Sequence, residues 1–106
     1  MIIASAETVA NKQIVQTLGI AKGNTIRARH VGHDVMAGLQ QIVGGELKGY
    51  TQMVTEAREE ATKRMIEDAE NMGADAIVAV RYTSSDVMAR ASEILAYGTA
   101  VKLKIS

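Results

Sequence analysis

His30 and His33, with Asp34 beside them, are the residues of this sequence best suited to hold a metal ion. Imidazoles three positions apart with an adjacent carboxylate can converge at the mouth of a helix. They are the 2 histidines of the chain, so a mononuclear set closes only with ligands of other types or from other copies. The chain has no cysteine, whereas the softer heavy metals favour thiolates. The same residues suit a plainer task, in which Asp34 or the residue before it caps a helix and the imidazoles lie at the surface, and the weight falls there. A ring of identical subunits alters the count, since one histidine per chain near the symmetry axis supplies several convergent ligands.

The remaining constellations carry less chemistry. The loop Gly44–Gly49, with Lys48, precedes a long helix and could offer an anion its N-terminal N–H groups, but it lacks the Walker spacing, and glycines between two helices ordinarily serve a bend. Arg58 lies beside an apolar stripe, where an ion pair at a subunit boundary is its expected role and ligand anchoring the second. Met53, Met65 and Met72 recur at helical spacing, which fits gap-filling core better than Cu(I) ligation. Ser84, Ser85 and Asp86 share a stretch without a histidine nearby, so no nucleophile has a base and an orienter. No catalytic residue and no cofactor follows from these patterns.

The element that must position most of these groups is a helix over Tyr50–Met72. Tyr50, Met53, Val54, Ala57, Ala61, Met65, Ala69 and Met72 fall three and four apart on one face, opposite a charged face on which Glu59→Lys63 and Glu60→Arg64 place acid before base. Gly73 supplies the left-handed residue that ends it. A shorter helix is expected over Asp34–Val43. Ile2–Ser5 is β-prone, and Asn11 and Lys12 separate it from a strand over Ile14–Ala21 covered on both sides. Lys22-Gly23-Asn24 reads as a tight turn into a second strand over Thr25–His30. Ala76–Tyr82 forms a strand with both faces covered, Thr83–Asp86 a loop, and Ile94–Ile105 a strand with one wet face. The elements run β-β-β-α-α-β-β in one domain, residues 1–106, of α+β class, an antiparallel-rich sheet packed on one short and one long helix.

Composition narrows the function. With 12 basic and 12 acidic residues there is no net field to attract nucleic acid or an anionic membrane, and few aromatics for base stacking. No stretch approaches the ~20 apolar residues that cross a bilayer, which with the unremarkable N-terminus leads us to expect a cytoplasmic protein. Hydrophobic residues make up 47%, yet there is no Phe and no Trp, so the core must be built from aliphatic residues and Met. Such a core is thin, and burial between identical subunits is a common remedy, so the expected partner is the chain itself.

Three segments together resemble the YbjQ-like family, small bacterial and archaeal proteins labelled heavy-metal-binding: Gly44-Gly45-Glu46-Leu47-Lys48-Gly49-Tyr50 leading to Ala57-Arg58-Glu59, then Gly73-Ala74-Asp75-Ala76-Ile77-Val78, then Gly98-Thr99-Ala100-Val101. Their order and spacing match over nearly the whole chain. Family members usually carry an acidic residue after the tyrosine, where Thr51 stands here. The resemblance implies a dodecin-like subunit that assembles as a homopentameric ring, with strands contributed across subunit boundaries. It also implies metal binding, with no ligand set that maps onto matching residues. The expected function is therefore that of a non-enzymatic assembly holding a metal ion or small ligand between subunits. The alternative is an enzyme whose site is shared by Tyr50, Arg58 and His30 of adjoining chains.

Overall fold

The computed structural model describes residues 1–28, 47–88 and 91–105. In chain order these contain β1 (Ile2–Ile3), β2 (Ile14–Ala28), α1 (Leu47–Asn71), β3 (Ala76–Met88) and β4 (Ala91–Leu103). They form a 4-stranded sheet ordered β1-β3-β4-β2, with α1 laid across one face, chiefly over β2 and then β4. β1 is parallel to β3, and the pairs β3–β4 and β4–β2 are antiparallel. This is the expected α+β class with an antiparallel-rich sheet and a long helix. The short helix over Asp34–Val43 falls outside the described residues.

α1 forms for the reasons its periodicity indicates. Ala57, Ala61, Met65 and Ala69, four apart, are buried, and the small alanine side chains let the helix axis approach the sheet closely. Glu60 and Arg64 pair along the wet face at 3.3 Å. The helix ends in a Schellman motif: Ala74 N–H donates to Ala69 C=O at 3.1 Å and Gly73 N–H to Glu70 C=O at 3.0 Å, with Gly73 at φ 80°.

The expected hairpin at Lys22-Gly23-Asn24 is not formed. β2 runs unbroken for 15 residues, and Gly23 is its closest approach to the helix rather than a turn. A Cβ on Gly23 would overlap the backbone of Ala61 and Met65. Glycine is required there by contact, not by conformation. β2 is also not covered on both sides: Ala21, Gly23 and Thr25 are buried beneath α1, whereas Lys22, Asn24 and Ile26 alternate outward. A register shift between Thr17 and Gly19 resets that alternation, so Leu18 joins the core while Ile20 does not.

The loop expected over Thr83–Asp86 is strand as well. β3 continues to Met88 because the residues of the expected loop are matched across the ladder, Thr83 to Leu95, Ser84 to Ile94, Ser85 to Glu93 and Asp86 to Ser92. Polar side chains are no obstacle in the half of β3 that extends past β1, where residues 81–86 are exposed. Its first half behaves as expected, with Ile77, Val78 and Val80 buried. Ile77 and Val80 join Ala21, Ala96, Ala100 and the helix residues Ala61, Met65 and Ala69 in the main core. On the opposite face Ala76, Val78, Val101 and Leu103 form a second cluster, closed by Val9 and Ile14.

Candidate functional site

The metal candidates His30, His33 and Asp34 lie outside the described residues, as do Gly44, Gly45 and Glu46 of the glycine loop. Among the described residues no group of three or more His, Cys, Asp or Glu side chains is placed to hold a metal ion. Polar groups gather instead at two places along α1.

The first is an open groove of about 590 Å³ where the flank of α1 meets the outer edge of β2, lined by Lys22, Asn24, Arg64, Glu67, Asp68 and Asn71 among others. Four helical residues rise about 6 Å and two strand residues about 6.6 Å, so Arg64 and Asp68 match the spacing of Lys22 and Asn24. Asp68 Oδ2 accepts the Lys22 backbone N–H at 3.0 Å, and Arg64 Nη1 donates to the Asn24 carbonyl at 2.7 Å. On the outer side Asn24 Nδ2 donates to Glu93 Oε2 at 2.9 Å. Two charged groups of the groove, Arg64 and Asp68, are thus spent on the strand's own edge groups, which seals that stretch against pairing with another strand. Sequence periodicity did not single out this pair, because the strand it serves was expected to turn there.

The second lies between α1 and β3. The Thr62 hydroxyl donates to the Arg58 carbonyl at 2.8 Å, so the proton in the 2.8 Å contact between Thr62 Oγ1 and Tyr82 comes from the phenol. Arg58 itself is exposed on the helix. Beyond Tyr82, Ser84 and Asp86 follow on the same face while Ser85 points to the other, so these three residues do not converge. Asp86 Oδ1 accepts the Ser92 hydroxyl at 3.2 Å. Met65 is fully buried and Met72 packs against the core, which bears out their role as filler.

The sheet face turned away from α1 is the remaining feature of size. Ile20 and Ile26 on β2 are 67% and 56% exposed, and Tyr97 on β4 is 37% exposed. Pairing of Lys22 with Tyr97 and of Asn24 with Leu95 sets these side chains in one patch. It is uncovered among the described residues and mixed in character, since Lys22, Asn24 and Glu93 share the face with these apolar side chains.

Comparison with known proteins agrees over the full length. A family model described as "Putative heavy-metal-binding" matches residues 1–104. A UPF0145 protein of Methanosarcina acetivorans is 61% identical, covering 97% of this chain and 97% of its own. One from Archaeoglobus fulgidus is 54% identical over 98% of this chain and 96% of its own. A crystal structure from Pediococcus pentosaceus, described as a protein with unknown function of the DUF74 family, matches with a TM-score of 0.66 at 15% identity and 98% coverage of both chains. At that identity the likeness is one of fold alone.

Proposed function

Because this chain belongs to the YbjQ family, the family described as heavy-metal-binding and shared with its UPF0145 relatives, we propose that it is a non-enzymatic subunit of a homo-oligomeric ring. The ring is a pentamer of dodecin-like subunits, each a single domain over residues 1–106, and works in the cytoplasm. A metal ion or small ligand is held between subunits, with His30, His33 and Asp34 as the ligand set for the metal.

The observation that carries this reading is the group formed by Ile20, Ile26, Tyr97 and the half-buried Leu95 on the sheet face away from α1, which is bare among the described residues. Antiparallel sheets commonly turn a polar face to water. Here Lys22, Asn24 and Glu93 share that face with large apolar side chains, two of them more than half exposed, and exposed apolar groups gathered within a polar surround mark interaction sites. A Cα radius of gyration of 17.2 Å, against roughly 13 Å for a compact domain of about 100 residues, supports the same reading. Such a chain presents more surface than its small core requires.

Light scattering on the purified protein should return a mass several times the 11.3 kDa of one chain, and a stable monomer at micromolar concentration would remove the assembly. Titration calorimetry with Zn²⁺ or Cu²⁺ addresses the ligand separately. Saturable heat should be present in the natural protein and vanish in His30→Ala and in His33→Ala. Heat that persists in both variants would end the assignment of these ligands.

A further inference from the structure

Ala79 adopts φ 54°, a left-handed conformation that an alanine seldom takes, in the middle of a strand. It sits in a β-bulge: Val78 pairs with Thr99 but Arg81 pairs with Tyr97, so β3 carries one residue more than β4 between these points. The bulge is held from outside the ladder by the N-terminal segment. Ala79 N–H donates to the Ala6 carbonyl at 2.8 Å and Val80 N–H to the Ala4 carbonyl at 3.0 Å. Ala4 N–H donates to Ile77 C=O at 2.9 Å, and Arg81 Nη1 bridges the carbonyls of Ser5 and Val80, each at 2.9 Å. The N–H groups of Ala79 and Val80 and the carbonyls of Ile77 and Val80 are thus met by residues 4–6 or by Arg81.

We propose that residues 4–6 are a latch that keeps the extra residue in β3, and so decide which side chains the outer half of that strand presents to α1. Side chains along a strand alternate with period two, and a shift of one residue moves all of them to the other face. With the bulge in place Tyr82 lies opposite the buried Ala96, on the helix side, where it bonds Thr62. Without the latch, Ala79 has lost the acceptors that made its conformation worthwhile and relaxes to an extended φ. The outer ladder then advances by one, bringing Arg81, Thr83 and Ser85 to the helix side and turning Tyr82, Ser84 and Asp86 away. The register shift already present between Asp86 and Met88 gives the far end of the hairpin the slack to take up the residue. The latch is thus a register switch, and whatever displaces the N-terminal segment exchanges one set of β3 side chains for the other.

The absence of natural cysteine lets paired cysteines read the register without background. In the latched register Ser85 faces Glu93, and in the advanced register Ser84 does. The double variant Ser85→Cys/Glu93→Cys should cross-link under mild oxidation in the full chain, whereas Ser84→Cys/Glu93→Cys should not. Deletion of residues 2–6 should reverse that preference by tenfold or more, and adding Ala79→Gly to the deletion should restore it, since glycine keeps a positive φ unaided. Should the deletion prevent folding, Ala79→Val in the full chain replaces it, because a β-branched residue resists that φ with the latch still present. An unchanged preference in the folded deletion, or in Ala79→Val where the deletion does not fold, overturns the proposal. Failure of Ala79→Gly to restore the latched pairing overturns it as well.

Discussion

Gly23 lies where α1 comes closest to the sheet, and the absence of a side chain is what lets the two touch. A Cβ there would lie within 2.6 Å of the Arg64 carbonyl carbon and closer still to the backbone of its neighbours, atoms that cannot move without moving the helix. Gly23→Ala should therefore destabilise the fold by about 1–3 kcal/mol, as overpacking does in a well-filled core. Urea unfolding measures it. A loss under about 0.5 kcal/mol, the range of an ordinary surface change, would mean that the contact is looser than described. Gly98 meets a similar limit from the side chains of Ile77 and Val80 at 2.7 and 3.1 Å and from the Val78 carbonyl oxygen at 3.0 Å, but there no backbone atom comes as near as those facing Gly23. The backbone obstacle makes Gly23 the stricter of the two.

α1 is held by few large contacts. Along its buried stripe, among the residues whose burial is described, only Met65 is both large and fully enclosed, the others being Ala57, Ala61 and Ala69. Each alanine gives close approach but little area, so Met65 carries a disproportionate share of the helix's burial. Met65→Ala should lower stability by about 2–5 kcal/mol, whereas Met53→Ala, at a half-buried site, should cost visibly less. Equal midpoints for the two variants in a denaturant titration would contradict this weighting. The ends of the element are secured differently, by the Schellman bonds at Gly73 and by Arg64 and Asp68 fastening its flank to the edge of β2.

At the scale of the molecule, α1 covers one face of a sheet whose strands run to 15 residues, and among the described residues part of the second face stays bare. If that face is where copies meet, charge placed on it should separate them without unfolding the chain. Ile20→Glu combined with Ile26→Glu changes two side chains that are already more than half exposed, so the protomer should keep its far-UV circular dichroism. The scattering mass should fall toward that of one chain. Retention of the full assembly would move the interface elsewhere on the surface.

The amphipathic stripe of α1, its stop at Gly73 and the buried run Ile77–Val80 were all legible in the residues, because each is a local pattern whose period or turn chemistry needs no distant partner. Gly23 and Ser84–Ser85 were not. A glycine between Lys22 and Asn24 is the same letter whether it bends the chain or admits a helix, and serines are the same whether they loop or pair with β4. Only contact with α1 and the β4 ladder separates those cases. Composition and periodicity thus determined the class, the helix and the thinness of the core, since these depend on how many apolar groups there are and how they repeat. The tertiary arrangement decided the continuity of β2 and β3, the sealed edge at Lys22 and the latched bulge at Ala79, since each rests on hydrogen bonds or steric limits between residues far apart in the chain.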